Sequence, residues 1–283
     1  MTTGTMAAFR GASYEIAEAI APSWERRSAQ IEEVSRPVRD WLLRELQPRE
    51  GDTVLELAAG VGETGFEAAT LVGGSGRLIS TDFSPSMLEA ARRRGAELQI
   101  ENVDYRVMDA ERIALEDGSV DGVLCRFGYM LMADPAAALV ETRRVLRAGG
   151  RLALAVWGLP MHNPFFGIVG VSLVQHGHVS PPEPPPAPGI YAMASAERTR
   201  ALLESAGFVD VRTEEVAVSF VVPDVDEYLS VIADTAGPIG LALRGLSDAD
   251  RATIRLEAED SLSRFATANG YELPGIALCA VGM

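Results

Sequence analysis

The apolar run Val54-Leu55-Glu56-Leu57 opens into a turn of small residues, Ala58-Ala59-Gly60-Val61-Gly62, and a second apolar run, Leu78-Ile79-Ser80-Thr81, closes on an acid, Asp82. No other feature restricts the fold as strongly. Two short hydrophobic runs separated by a helix-length segment require a parallel β-α-β unit. Small residues at 58–62 let the backbone approach a ligand where a Cβ would block it. A helix starting near Glu63 aims free N–H groups at that ligand. Asp82 lies 20 residues beyond Gly62, near the offset of an acid that binds a ribose in a nucleotide-type crevice.

Two ligand classes fit such a crevice. A dinucleotide needs Gly-x-Gly-x-x-Gly/Ala. Counted from Ala58 the chain reads Ala58, Gly60, Glu63, with an acid in third place; counted from Gly60 it reads Gly60, Gly62, Gly65, which matches. Glu56 discriminates better. A carboxylate before the turn repels a pyrophosphate and suits a ligand with a cationic amino-acid end.

Glu56-Leu57-Ala58-Ala59-Gly60-Val61-Gly62 resembles the first motif of class I S-adenosylmethionine (SAM)-dependent methyltransferases, acid-x-Gly-x-Gly-x-Gly. Ala58 replaces the first glycine, and the expectation is that the turn keeps φ negative there. Thr81-Asp82-Phe83-Ser84-Pro85-Ser86-Met87-Leu88 resembles the Asp-x-Ser-x-x-Met-Leu segment of that family, and Val107-Met108-Asp109-Ala110 its third-strand end. Arg144-Val145-Leu146-Arg147-Ala148-Gly149-Gly150 resembles its Leu-Lys/Arg-Pro-Gly-Gly turn, with Ala148 for proline. Within that family the chain most resembles the ubiquinone/menaquinone-biosynthesis group and related small-molecule enzymes. The resemblance implies an α/β fold: a Rossmann-like, seven-stranded, mostly parallel sheet with its last strand antiparallel, sandwiched by helices and carrying helical cap insertions.

Alternation along the chain agrees with that class. Strands are expected near 53–58, 77–82, 103–108, 120–126, 150–157, 208–222 and 275–282, and helices near 63–72, 85–94, 135–147 and 195–206. Asp134-Pro135 marks a helix start. Residues 13–47 carry helical periodicity, with Pro22 and Pro37 as breaks or first-turn positions. Residues 158–195 break the pattern, and Pro181–Pro188 reads as stiff polyproline or a surface loop. Residues 224–268 read as helical. The expected organisation is an N-terminal helical cap at 1–48, a cofactor-binding core at 49–157, and at 158–283 the rest of the core with substrate-cap insertions.

Charge and composition narrow the function. A formal net charge of −15 over 283 residues argues against nucleic acid and anionic membranes as partners. Every non-histidine cation is arginine. The two cysteines, Cys125 and Cys279, lie in strand-like runs and read as buried small hydrophobes. Cysteines and histidines do not cluster for a metal. With no leader-like start and no membrane-length apolar run, a cytoplasmic location is expected. A homodimer stays open.

The resemblance implies SAM as cofactor. Asp82 would hold the ribose, Phe83 or Met87 with Ala110 would sandwich the adenine, and Asp109 would accept from its exocyclic amine. Ala58 and Arg126 would offer carbonyls to the methionyl ammonium, Glu56 acting there indirectly, while Gly60 and Gly62 give the close turn. The acceptor should sit at Arg126-Phe127-Gly128-Tyr129-Met130, near Tyr14, Trp24 and the His162 loop. His162 is the candidate base, or a loop histidine bonded to backbone. Arg126 could anchor an acidic substrate, pair with Asp134, or offer only its backbone. His176 and His178 read as surface residues. Without Asn/Asp-Pro-Pro-aromatic at the fourth strand, nucleobase or glutamine amines are disfavoured as acceptors. The apolar Tyr129–Ala133 segment replaces the Arg-Asn pair of the quinone-pathway enzymes and points to a hydrophobic or aromatic acceptor methylated at oxygen or carbon. The alternative is a SAM-binding natural-product cyclase, or another non-methylating member of the fold. A non-enzymatic SAM-binding subunit and a nicotinamide-dependent oxidoreductase are the remaining rivals, the last opposed by Glu56.

Overall fold

The structure is a computed structural model that describes residues 3–183 and 187–283. Two helices, α1 (Thr3–Arg26) and α2 (Ser28–Leu46), precede an alternating core. That core runs β1 (Thr53–Glu56), α3 (Glu63–Val72), β2 (Arg77–Asp82), α4 (Pro85–Glu97), β3 (Val103–Val107), β4 (Val120–Arg126), α5 (Pro135–Val145) and β5 (Leu146–Trp157). Then follow α6 (Pro164–Gln175), α7 (Ala196–Ser205), β6 (Arg212–Val222), α8 (Val225–Thr235), α9 (Gly237–Arg244), α10 (Asp248–Leu262), β7 (Ala266–Thr267) and β8 (Gly270–Gly282).

The strands form one sheet in the order β3-β2-β1-β4-β5-β8-β6. β1 through β5 pair in parallel, and β8 runs antiparallel between β5 and β6. The expected seven-stranded path is therefore present. β7 adds a two-residue hairpin strand on β8, pairing Ala266 with Tyr271 and Thr267 with Gly270. The sheet interior reads as continuous apolar runs, Val123-Leu124-Cys125 and Leu152–Val156 all fully buried, as strands covered on both faces require. Cys125 of β4 and Cys279 of β8 are free and buried. α2, α3 and α4 form one row of flanking helices, and α5 and α7 pack together against β5, β6 and β8.

Several local expectations are corrected. Neither Pro22 nor Pro37 breaks a helix: α1 and α2 run through them, and the chain turns at Arg27. Burial of Val38, Trp41 and Leu42 against the core outweighs the hydrogen bond that Pro37 forgoes. The 158–195 stretch holds α6, and 224–268 is three helices followed by β7. Pro184, Pro185 and Pro186 of the expected polyproline segment lie outside the described residues. Among the described residues no helix is long and apolar enough to cross a membrane.

The Arg27 guanidinium joins the N-terminal helices to the insertion between β6 and β8. It donates to Asp234 at 2.9 Å and Ser230 at 2.6 Å, and pairs with Glu227, all on α8.

Candidate active site

The parallel strands deliver their C-terminal ends to one edge, where a doubly wound sheet binds its ligands. The tip of β1 carries an unusual backbone. Ala58 has φ +51, in the left-handed region, and so corrects the expectation of a negative value. Gly60 and Gly62 follow at +56 and +89. Beside it, at the tip of β4, Phe127 has φ +62. Two non-glycine residues in this region on adjacent strand ends are a concentration of strain of the kind that functional sites keep. The two tips pack closely: a Cβ on Gly128, next to Phe127, would lie 2.6 Å from both the Ala58 Cβ and the Cys125 Sγ.

The two acids are buried within this edge. Asp82, 6% exposed, accepts the Gly60 amide on Oδ2 and the Ser84 amide on Oδ1, both at 2.9 Å. Burial raises its pKa to about 6 against the pull of these amides. Its carboxylate thus joins the glycine turn to the start of α4. Glu56 is engaged by donors of the protein itself. Its Oε1 accepts the Gly65 amide at 2.8 Å and its Oε2 accepts the Ser80 hydroxyl at 3.1 Å. Its carboxylate is therefore turned beneath the first turn of α3, and burial pushes its pKa up to about 8.

Asp109 is half-exposed at the end of β3, where its Oδ1 accepts the Glu111 amide at 2.9 Å. Ala110 packs on the main core. Met87 belongs to a second apolar cluster with Ile20, Ala21, Val61 and Ala90. Phe83 meets the Tyr14 ring edge-on at 6.0 Å. Arg126 donates from Nη1 to the Ser35 hydroxyl of α2. Asp134 is not its partner; it caps α5 by accepting the Ala137 amide at 3.0 Å. His162 sits exposed in a single-turn helix after β5. His176 binds Glu257 at 2.8 Å, and His178 is 3.9 Å from Asp250, both away from the strand tips. Among the described residues no group of three or more His, Cys, Asp or Glu could hold a metal ion.

The tips of β4 and β5 also build an aromatic wall. Phe127 stacks on Trp157 at 4.2 Å, and Trp157 meets Phe166 of α6 at 5.0 Å and Phe220 of β6 at 5.8 Å. Tyr129 is fully buried, its hydroxyl 2.6 Å from the Thr142 Oγ1.

Sequence reasoning set Tyr14 and Trp24 of α1 near the acceptor but missed Arg10 and Glu18. Arg10 reaches Asp109 at 3.5 Å and also pairs with Glu111. Glu18 accepts the Ser84 hydroxyl at 2.5 Å, the Ser86 hydroxyl at 2.6 Å and the Ser86 amide at 3.1 Å, which hold its pKa below the usual carboxylate range. The Trp24 ring lies 3.9 Å from where a Gly60 Cβ would stand, and its Nε1 donates to the Thr235 carbonyl at 3.3 Å. For these two polar residues, Arg10 and Glu18, helical periodicity gives no address, because it marks only the apolar stripe.

Comparison with known proteins agrees with this geometry. Residues 54–150 match the family model of a methyltransferase domain. A demethylmenaquinone methyltransferase of Beutenbergia cavernae is 37% identical over 128 residues, 45% of this chain and 50% of the relative. The chain thus spans half the length of that relative. A SAM-dependent methyltransferase from Aquifex aeolicus superposes with a TM-score of 0.51 at 22% identity, over 68% of this chain and 92% of the other. The cyclase SpnF superposes with a TM-score of 0.53 at 17% identity, over 87% and 79%. Both structural likenesses are of fold.

Proposed function

We propose, from the premise that residues 54–150 are a class I SAM-dependent methyltransferase domain, that this chain transfers a methyl group from SAM to an oxygen or carbon of a hydrophobic, aromatic small molecule. The observation that carries the acceptor class is the Phe127–Trp157 stack, extended by Phe166, at the strand tips beside the glycine turn. Stacked rings favour a planar apolar partner.

The residues fit the cofactor. The turn at Gly60 and Gly62 has no Cβ to bar close approach, and α3 points its first amides toward it. Asp82 keeps lone pairs for ribose hydroxyls at the end of β2, with Phe83 and Met87 following it and Asp109 with Ala110 on the neighbouring strand end. The carbonyls of Ala58 and Arg126 lie at adjacent strand ends for an ammonium. When bound, SAM supplies an electrophilic methyl group. The protein's own work is then placement: an in-line attack needs the acceptor about 3 Å from the methyl carbon, opposite the sulfur. The aromatic wall orients the acceptor, and α1 over the crevice excludes water. His162 would take a proton from an acceptor hydroxyl only if the loop after β5 turns it inward. Calorimetric titration with SAM should give saturable one-site binding. No heat and no competition with S-adenosylhomocysteine would sink this reading.

One observation favours a second reading. The aromatic wall at the β4 and β5 tips carries no carboxylate or imidazole, and the one expected base, His162, is exposed. A cyclase that uses the bound cofactor structurally needs no base. Turnover of an acceptor without S-adenosylhomocysteine formation would select it.

A further inference from the structure

The two ends of α1 are held by unlike contacts. At the joint with α2, the Arg27 guanidinium is gripped by Asp234, Ser230 and Glu227 of α8, and Trp24 adds its bond to the Thr235 carbonyl. Further along, α1 meets the core through a small apolar patch, Ile16, Ile20 and Ala21 against Val61, Met87 and Ala90. Glu18 and an exposed ion pair of Glu25 with Arg93 add to it. Pro22 brings no amide to the helix ladder, so one rung is missing just before the joint. From Arg27 back to Arg10 the helix spans about 26 Å, and a turn of about 10° at the joint moves the far end by roughly 4 Å.

The far end reaches a side chain with two engaged oxygens. Oε1 of Glu111 accepts the Ala133 amide at 2.9 Å and the Asp134 amide at 3.1 Å, where the segment after β4 turns into α5. Oε2 pairs with the Arg10 guanidinium. The Glu111 side chain is 7% exposed and that of Arg10 39%, so the acid is built into the fold and the cation arrives from outside it. The Arg10 Nε is buried, makes no hydrogen bond among the described residues and stands 3.5 Å from Asp109 Oδ2. The far end of α1 is therefore seated one bond short of full engagement.

The segment that Glu111 holds is itself tied to the aromatic wall. It starts at Phe127, stacked on Trp157, and its Met130 sulfur accepts the Trp157 amide at 3.4 Å. Direct contacts thus run from Arg10 through Glu111 and the Ala133 and Asp134 amides to the residues beside the wall.

We propose that α1 is a strap hinged at residues 22–27 and latched by Arg10 on Glu111, and that Glu111 is a positioning residue through which closure over the cofactor side fixes the 127–134 segment on the acceptor side. The inference rests on the SAM reading above, because a ligand under α1 is what the strap closes on.

The test follows S-adenosylhomocysteine release by stopped-flow competition, and amide hydrogen exchange of the full chain with and without that probe. Glu111→Gln keeps an amide oxygen for Ala133 and Asp134 and replaces the ion-pairing oxygen with a donor, so it opens the latch without unseating the segment. Arg10→Ala opens it from the other side. Each should speed release about tenfold, and the double variant should do no more than either alone. Arg10→Lys should recover part of the loss, and added salt should speed release from wild type more than from Arg10→Ala. The probe should slow exchange over 127–134 in wild type and leave it unchanged in Glu111→Gln, while slowing exchange over 58–65 in both. A merely structural Glu111 would not change what the probe protects. Release rates equal to wild type in both single variants would overturn the proposal, as would protection of 127–134 that survives Glu111→Gln. Wild-type protein that does not bind the probe would fail the cofactor reading and the strap with it, whereas binding with unaltered variant rates fails the strap alone.

Discussion

The Gly65 amide donates to the Glu56 carboxylate at 2.8 Å, and no side chain fits between them: a Cβ on Gly65 would lie 2.1 Å from Glu56 Oε2. The acid at the end of β1 therefore seats the first turn of α3, and the small residue of the third motif position is required by that acid. Gly65→Ala is expected to destabilise the fold by about 1–3 kcal/mol through forced displacement of a buried carboxyl. Thermal unfolding checks it; an unchanged midpoint would show that α3 is not seated on Glu56.

The same acid gives a pH signature. Burial raises Glu56 from 4.5 to about 8 and Asp82 from 3.8 to about 6. A raised folded-state pKa means that the folded protein binds the proton more tightly than the unfolded chain. The contribution of these groups is then fully present below the unfolded values and is lost as pH rises through the folded ones. Stability should decline from about pH 4 to about pH 8 on their account, and Glu56→Gln should flatten the upper part of that decline. Unfolding midpoints across the range, wild type against variant, measure it.

Ala58 and Gly128 should behave as a coupled pair. Gly128→Ala alone should cost about 1–3 kcal/mol, because its new methyl meets the Ala58 Cβ. Ala58→Gly alone should be mildly stabilising, by about 0.5–1 kcal/mol, since it relieves a left-handed alanine. The double variant should recover part of the Gly128→Ala loss. Strict additivity in a double-mutant cycle would deny the contact.

Asp82→Ala should weaken S-adenosylhomocysteine binding at least about tenfold, since it frees the Gly60 and Ser84 amides together with any ribose acceptor. An unchanged affinity would remove Asp82 from the site.

Glu18→Ala removes three hydrogen bonds between α1 and the start of α4. Amide hydrogen exchange over residues 3–20 should quicken at least about tenfold while the exchange of β4 and β5 stays unchanged. Equal protection in wild type and variant would mean that α1 is held by its apolar face alone.

What was legible in the chain followed from local chemistry. Strand, small-residue turn and terminal acid placed β1, α3 and β2 because backbone approach and period-matched burial leave few other solutions. α6 was not legible. Its sequence, Pro-Phe-Phe-Gly-Ile-Val-Gly-Val-Ser-Leu-Val-Gln, is apolar on nearly every side, so no periodic stripe distinguishes it from a loop lining a core. The sign of φ at Ala58 was also hidden, because the neighbouring strand tip fixes it and alanine itself does not. The contact of Arg126 with Ser35 joins residues 91 positions apart, whose meeting only the tertiary structure reveals.

Trp24 occupies a position of further interest. One edge of its indole lies against the Gly60 turn, and its ring nitrogen holds the Thr235 carbonyl of the helical insertion. A single side chain thus links the glycine turn to the helical insertion, which on the proposed reading are the cofactor side and the acceptor side. Any free energy by which the first occupant repositions that indole is felt by the second, and thermodynamic reciprocity makes the two effects equal in size.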